Sequence, residues 1–141
     1  RGVDTKPLVG HLAAWNYFMS VQSPANTEFK NLWQAYIKNP RRVTNDPMEA
    51  TYTGFNMWAQ AVAKANTTAV DAVRTAVIGE KFAAPSGYTE EMLPNHHLSK
   101  PVMIGEIQAD GQFNIVYKTP AVVPAENWSQ FIPENASRRR G

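Results

Sequence analysis

Asp46 and Glu49 are carboxylates whose spacing could do chemistry: three residues apart at the start of a helical pattern, they could work as a paired acid and base. They could equally accept hydrogen bonds from the N–H groups of an amide or amine ligand. The same spacing also describes a helix cap, in which Asp46 covers the first free amides, Pro47 fills the first turn and Glu49 reaches back to the Asp46 amide. Trp15 and Tyr17 would give a ligand a flat apolar wall with polar handles if they stand at the end of a strand, and they would pack a core if they do not. His96 and His97 could ligate a metal, but neighbours in an extended loop point opposite ways, and no histidine or carboxylate at helical spacing completes a site. Loop packing and hydrogen bonding explain that pair without a metal.

Other chemistries lack their residues. The glycines, among them Gly10, Gly54, Gly79 and Gly105, are too widely spaced to converge backbone amides on a phosphate, so neither a dinucleotide fingerprint nor a P-loop is present. The Gly-x-Ser-x-Gly turn of serine hydrolases is absent. The chain has 0 cysteines, which removes disulfides, thiolate metal sites and a cysteine nucleophile. The expectation is a protein that is not an enzyme, with no catalytic residue, no cofactor and no metal.

Composition narrows the class further. The 141 residues, 43% hydrophobic and 18% charged, suffice for one buried core. The net charge of +2 comes from the end of the chain: without Arg138, Arg139 and Arg140 the 14 basic residues fall to 11 against 12 acidic ones. Arg41, Arg42 and that tail are short separate clusters, which do not make a nucleic-acid groove. The longest uncharged run, Pro7 to Thr27, is broken by Gly10, His11, Asn16, Gln22 and Pro24 and is too polar to span a membrane. Arg1 to Lys6 lacks the order of a secretory signal and no initiator methionine is present, so a trimmed or partial chain is expected.

Several elements must position these residues. Leu8 to Val21 reads as a strand buried on both faces. Ser23-Pro24 starts a helix with Phe29, Leu32, Trp33, Tyr36 and Ile37 on one face, ending near Lys38 before Asn39-Pro40. A second helix begins at Asp46 and carries Met48, Tyr52, Phe55, Ala59 and Val62 as a stripe, widened by Trp58 and Ala61 until both faces look covered, and stops at Asn66. Thr68 to Asp71 repeats the capping spacing for a short third helix that ends at Gly79. From Val102 the pattern turns to period two, with an Asp110-Gly111 turn between Val102–Gln108 and Gln112–Thr119, which predicts a β-hairpin. Pro120, Pro124 and Pro133 then leave an irregular strap, whose Val122, Trp128, Phe131 and Ile132 are expected to wrap the body.

Three long segments carry a family resemblance: Gly10-His-Leu-Ala-Ala-Trp-Asn-Tyr-Phe-Met-Ser-Val21, Thr44-Asn-Asp-Pro-Met-Glu-Ala-Thr-Tyr52 and Leu93-Pro-Asn-His-His-Leu-Ser-Lys-Pro101. With Gly105-Glu-Ile-Gln108 and Asp110-Gly-Gln-Phe113, in the same order, the sequence resembles the periplasmic urea-binding subunits of ABC transporters. That family is similar to the leucine/isoleucine/valine receptors and the short-chain amide sensors. The resemblance implies an α/β fold, the C-terminal portion of a two-lobed type I periplasmic binding protein with a C-terminal β-hairpin and strap. It implies one partial unit over residues 1–141, in which 8–43 complete one lobe, 44–119 form the other lobe and hairpin, and 120–141 are the strap. It also implies a periplasmic, non-catalytic receptor that closes on urea or a short amide and delivers it to permease subunits, or an amide or amino-acid sensor of the same fold. A metal-dependent hydrolase using His96, His97 and a carboxylate is the enzymatic alternative. By carry-over Pro47 and Glu49 approach the ligand, and together with Asp46, Trp15 and Tyr17 they form the expected ligand-binding set. Most of the gripping positions would lie upstream. A half-built sheet and open helix faces imply that the isolated chain dimerises or aggregates.

Overall fold

A computed structural model describes residues 4–140. Strand β1 (Leu12–Trp15) is followed by helices α1 (Pro24–Ile37), α2 (Asp46–Ala65) and α3 (Val70–Ala76). Strands β2 (Lys81–Ala83), β3 (Thr89–Met92), β4 (Leu98–Ser99), β5 (Met103–Ile107) and β6 (Phe113–Lys118) come next. Short 3₁₀ turns occupy Lys6–Leu8 and Pro133–Arg140. The strands form two antiparallel three-stranded sheets, ordered β1-β5-β6 and β2-β3-β4. This mixed helix-and-sheet architecture agrees with the α/β expectation, and the β5–β6 hairpin lies where the period-two pattern placed it.

The helix ends follow local chemistry. Ser23 caps α1 by accepting from the Asn26 amide, Pro24 takes the first position, and Lys38 closes the helix in the left-handed region at φ 49°. Asn66, at φ 51°, ends α2 in the same way. The start of α2 differs from the expected capping box. Asn45 is the cap, its side chain accepting from the Met48 amide. Asp46 is already helical, and Glu49 points inward. Helix α3 starts after Ala69, which has no side-chain cap; Thr67 Oγ1 instead accepts from the Ala69 amide.

Burial also departs from the periodicity. Strand β1 is four residues long at the edge of its sheet with Leu12 64% exposed, and the chain leaves the ladder at Asn16, whose side chain donates to the Pro101 carbonyl. The core lies just after it: Tyr17, Phe18, Val21, Phe29 and Met103 are buried together, with Met48, Tyr52, Tyr88, Phe113 and Ile115 packed around them. Phe18 lies against Gly105, where a methyl group would fall 2.6 Å from its ring, so glycine is required at that point of β5. On α2 the buried stripe is Glu49, Thr53, Met57 and Ala61, one residue per turn. Phe55, at 63% exposure, and Trp58 pack at a tilt in the open, and on α1 only Phe29 of the apolar face is buried while Tyr36 is 81% exposed. Trp128, Phe131 and Ile132 of the strap are likewise open, with Phe131 at 87%. The strap is tied instead by the Lys100–Val123 bridge and by Asn95 Nδ2 donating to the Ala125 carbonyl.

Candidate functional site

Chain geometry brings the end of β1 to the start of α2. The backbone N–H of Asn16 donates to Asp46 Oδ1 at 3.1 Å, and Asn16 Nδ2 donates to the Pro101 carbonyl at 2.6 Å. Asp46 sits in the first turn of α2, where the helix dipole and free amides favour a negative charge. Trp15, half exposed, is stacked on Phe18 with ring centroids 5.8 Å apart and meets Phe113 at 6.1 Å, so its outer face is held as a flat apolar surface. Pro47 is exposed one residue beyond Asp46. Three of the five expected ligand residues, Trp15, Asp46 and Pro47, therefore belong to one accessible corner.

The other two lie deeper. Tyr17 is fully buried, its phenol donating to Asn26 Oδ1 at 2.7 Å and accepting from Thr44 Oγ1 at 2.8 Å. Burial pushes this phenol up to about 12 despite those partners. Its role is to fix the loop before α1, because Asn26 also donates to the carbonyls of Met19 and Val21. Glu49 is fully buried beneath the corner. Lys100 Nζ lies 2.6 Å from its Oε2, and Thr53 Oγ1 donates to its Oε1 at 3.2 Å.

Sequence reasoning missed the partners of Glu49. Lys100, in the link between β4 and β5, also lies 3.4 Å from Oε2 of Glu90, a fully buried residue of β3. Ser86 Oγ donates to Glu90 Oε1 at 2.8 Å. Burial and then the charge of Glu49 push the Glu90 carboxyl up to about 7, against the pull of Lys100. Burial raises the Glu49 carboxyl as well, opposed by Lys100. For Lys100 itself burial works against the charge, and the two carboxylates outweigh it and hold the ammonium above its ordinary value. A signal was present in the sequence: in Thr-Glu-Glu-Met, alternation sends one of Glu90 and Glu91 to the inner face of β3, and Glu91 pairs outside with Lys81 at 3.4 Å.

Elsewhere, a groove of ≈ 1010 Å³ runs between the Ser20–Ser23 loop, Gly87–Tyr88 and strand β6, and it includes none of the five expected residues. His96 takes φ 60° in an exposed turn, and His97 Nδ1 meets the Asn95 carbonyl at 3.0 Å. Among the described residues no three histidine, aspartate or glutamate side chains gather as metal ligands. Among the same residues no helix is long and apolar enough to cross a membrane.

Comparison with known proteins places this geometry in context. Residues 1–134 match the family described as the periplasmic binding protein domain. A solved solute-binding protein of an ABC transporter from Rhodopseudomonas palustris HaA2, in complex with p-hydroxybenzoic acid, superposes with a TM-score of 0.71 at 24% identity over 84% of this chain and 33% of its own. A leucine-binding protein from Thermotoga maritima superposes with a TM-score of 0.66 at 13% identity, over 80% of this chain and 31% of its own. Among curated proteins, one named limonene hydroxylase from Geobacillus stearothermophilus is 31% identical over 125 residues, 88% of this chain and 22% of that relative. The chain thus spans about a third of the solved structures and less than a quarter of the curated relative.

Proposed function

We propose, since this chain belongs to the periplasmic binding protein domain family, that it is part of a non-catalytic, extracytoplasmic receptor that delivers a small solute to the permease subunits of an ABC transporter. The observation that carries this reading is the family match over residues 1–134, supported by superposition on solute-binding proteins of such transporters. Within it we assign urea or a short amide as the solute and the C-terminal third of the receptor as the position of this chain. The segments that support the assignment, Gly10–Val21, Thr44–Tyr52 and Leu93–Pro101, are those that supply Asn16, Asp46, Glu49 and Lys100 to the arrangement at the start of α2.

In this reading Trp15 covers one face of the solute, Asp46 accepts from its N–H groups and Pro47 shapes the rim, while Glu49 and Tyr17 act from behind by holding α2 and the loop before α1. The β1–β5 pairing and the contact of Tyr52 with Phe29, ring centroids 4.8 Å apart, draw residues 8–43 and 44–119 into one core. We propose that residues 8–43 complete one lobe and 44–119 form the other lobe and hairpin, joined through that core, with 120–141 as the strap. Exposed Leu12, Tyr36, Phe55 and Trp58 support self-association of the isolated chain.

The test is calorimetric titration of urea, acetamide, leucine and benzoate into the protein with its natural flanking sequence. Saturable binding of urea or acetamide, weakened at least tenfold by Asp46→Ala, is the expected result. Binding of leucine or benzoate alone would move the receptor to another solute class, and turnover of any of the four would refute the non-catalytic reading.

A further inference from the structure

Glu49 from α2, Glu90 from β3 and Lys100 from the β4–β5 link bring two carboxylates to one ammonium in the interior. With all three ionised, one negative charge is left uncompensated. The ammonium is not shared equally: it lies 2.6 Å from Glu49 Oε2 and 3.4 Å from Glu90 Oε2. Glu90 Oε2 is buried with only the ammonium near it, at 3.4 Å and poorly aligned, whereas Oε1 has the Ser86 hydroxyl at 2.8 Å. A buried carboxylate oxygen with so poorly placed a donor is costly when charged, but a carboxylic acid brings its own hydrogen and loses much less.

Every element packed around Glu90 argues the same way. Helix α2 contributes the negative charge of Glu49, with Asp46 one turn nearer its start adding to the field at Glu49. The β4–β5 link contributes Lys100, already engaged with Glu49, and the β2–β3 turn contributes only the Ser86 hydroxyl. The cross-strand neighbour on β2 is the uncharged Phe82, and Lys81 is occupied by Glu91 on the opposite face.

We propose that Glu90 is the proton-binding member of a clamp joining the start of α2 to β3 and the β4–β5 link, closed while Glu90 is protonated and loosened when it ionises. Protonated Glu90 leaves Glu49 and Lys100 as a neutral pair. Ionised Glu90 competes with Glu49 for the ammonium and draws Lys100 away from α2. The same turn of α2 holds Asn16 through Asp46, so loosening reaches the end of β1. The clamp is independent of which solute the protein binds, and its elevated carboxyl places the change near neutral pH.

The test follows glutamate carboxyl signals by carbon NMR across a pH titration of the protein with its natural flanking sequence, with amide hydrogen exchange in α2 and β3 measured alongside. One carboxyl should titrate near neutrality and vanish from the spectrum of Glu90→Gln. Exchange at the start of α2 should accelerate beyond its intrinsic rate across that midpoint in the wild type and not in Glu90→Gln. Ser86→Ala, which deletes a hydrogen bond to the charged form, should move the midpoint upward, and it decides the matter alone if Glu90→Gln does not fold. Glutamates that all titrate in the ordinary acid range, a neutral-range signal that survives in Glu90→Gln, or a midpoint unmoved by Ser86→Ala would overturn the proposal.

Discussion

Lys100→Met keeps most of the side-chain volume and removes the one charge that Glu49 and Glu90 share in this cluster. Breaking a buried ion pair from one side costs about 3–5 kcal/mol, because the remaining charge has lost its partner in a poorly solvated place. The hydrogen bonds from Thr53 and Ser86 survive the substitution, and both carboxyls are already raised, so each can escape its charge by taking up a proton. The loss should therefore fall near the lower end, ~3 kcal/mol at about pH 8, and shrink at about pH 5, where Glu90 is neutral. A domain of this size has roughly 5–15 kcal/mol of stability and loses about 2–4 °C of Tm per kcal/mol, which converts to a fall of about 6–12 °C at the higher pH. Circular dichroism of thermal and urea unfolding, on protein with its natural flanking sequence at both pH values, measures it. Glu49→Gln/Lys100→Met should recover much of the loss, since Glu90 alone can stay neutral. A Lys100→Met protein within about 0.5 kcal/mol of wild type at both pH values, or equally destabilised at both, would refute the reasoning.

Four further expectations use the same protein. Because Glu90 is raised to about 7 from an ordinary 4.5, its contribution is fully present below about pH 4.5 and is lost as pH rises through 7, a change of up to ~3 kcal/mol that Glu90→Gln should flatten; parallel stability curves for the two proteins would contradict it. Gly105→Ala places a methyl group 2.6 Å from Phe18 Cζ and 3.0 Å from Phe113 Cδ1, and should lower the urea midpoint by an equivalent of about 1–3 kcal/mol, partly restored by Phe18→Leu. Tyr17→Phe leaves Asn26 Oδ1 and Thr44 Oγ1 short of a partner and should cost about 1–2 kcal/mol; ultraviolet titration of the wild type should show one phenol resisting ionisation until about 12. Sedimentation of residues 1–141 alone should show dimers or larger species, and a compact, cooperatively unfolding monomer would argue against the self-association proposed from its open aromatic faces.

Where the determinants are local, the sequence was readable. Ser23-Pro24, the residues after Ile37 and Ala65, and Asp110-Gly111 mark helix and hairpin limits through interactions a few residues long, and the structure uses each of them. Burial was harder to read because it depends on what covers each face. The apolar stripe Tyr52–Phe55–Ala59 suggested the inward side of α2, yet the helix turns Glu49, Thr53 and Met57 inward because a lysine 51 residues away receives the first of them. Leu8–Val21 looked like a buried strand because its apolar residues belong to two environments, an exposed edge up to Trp15 and a packed loop from Tyr17. Asp46 and Glu49 were picked out by spacing, but their division of labour, one toward Asn16 and one toward Lys100, rests on contacts that no local pattern contains.

The loop between β1 and α1 has a consequence for the order in which the chain can assemble. Its shape is set partly by Asn26, immediately downstream, and partly by Pro85 and Pro101, whose carbonyls meet Ser23 and Asn16 across 62 and 85 residues. A ribosome delivers the loop and α1 before the segment around Pro101, so the Asn16–Pro101 contact closes only after residue 101 has emerged. Late closure of such distant contacts slows folding and prolongs the exposure of Trp15, Phe18 and Phe29. A chaperone that binds nascent apolar segments would find its target in the interval between synthesis of residue 30 and residue 101.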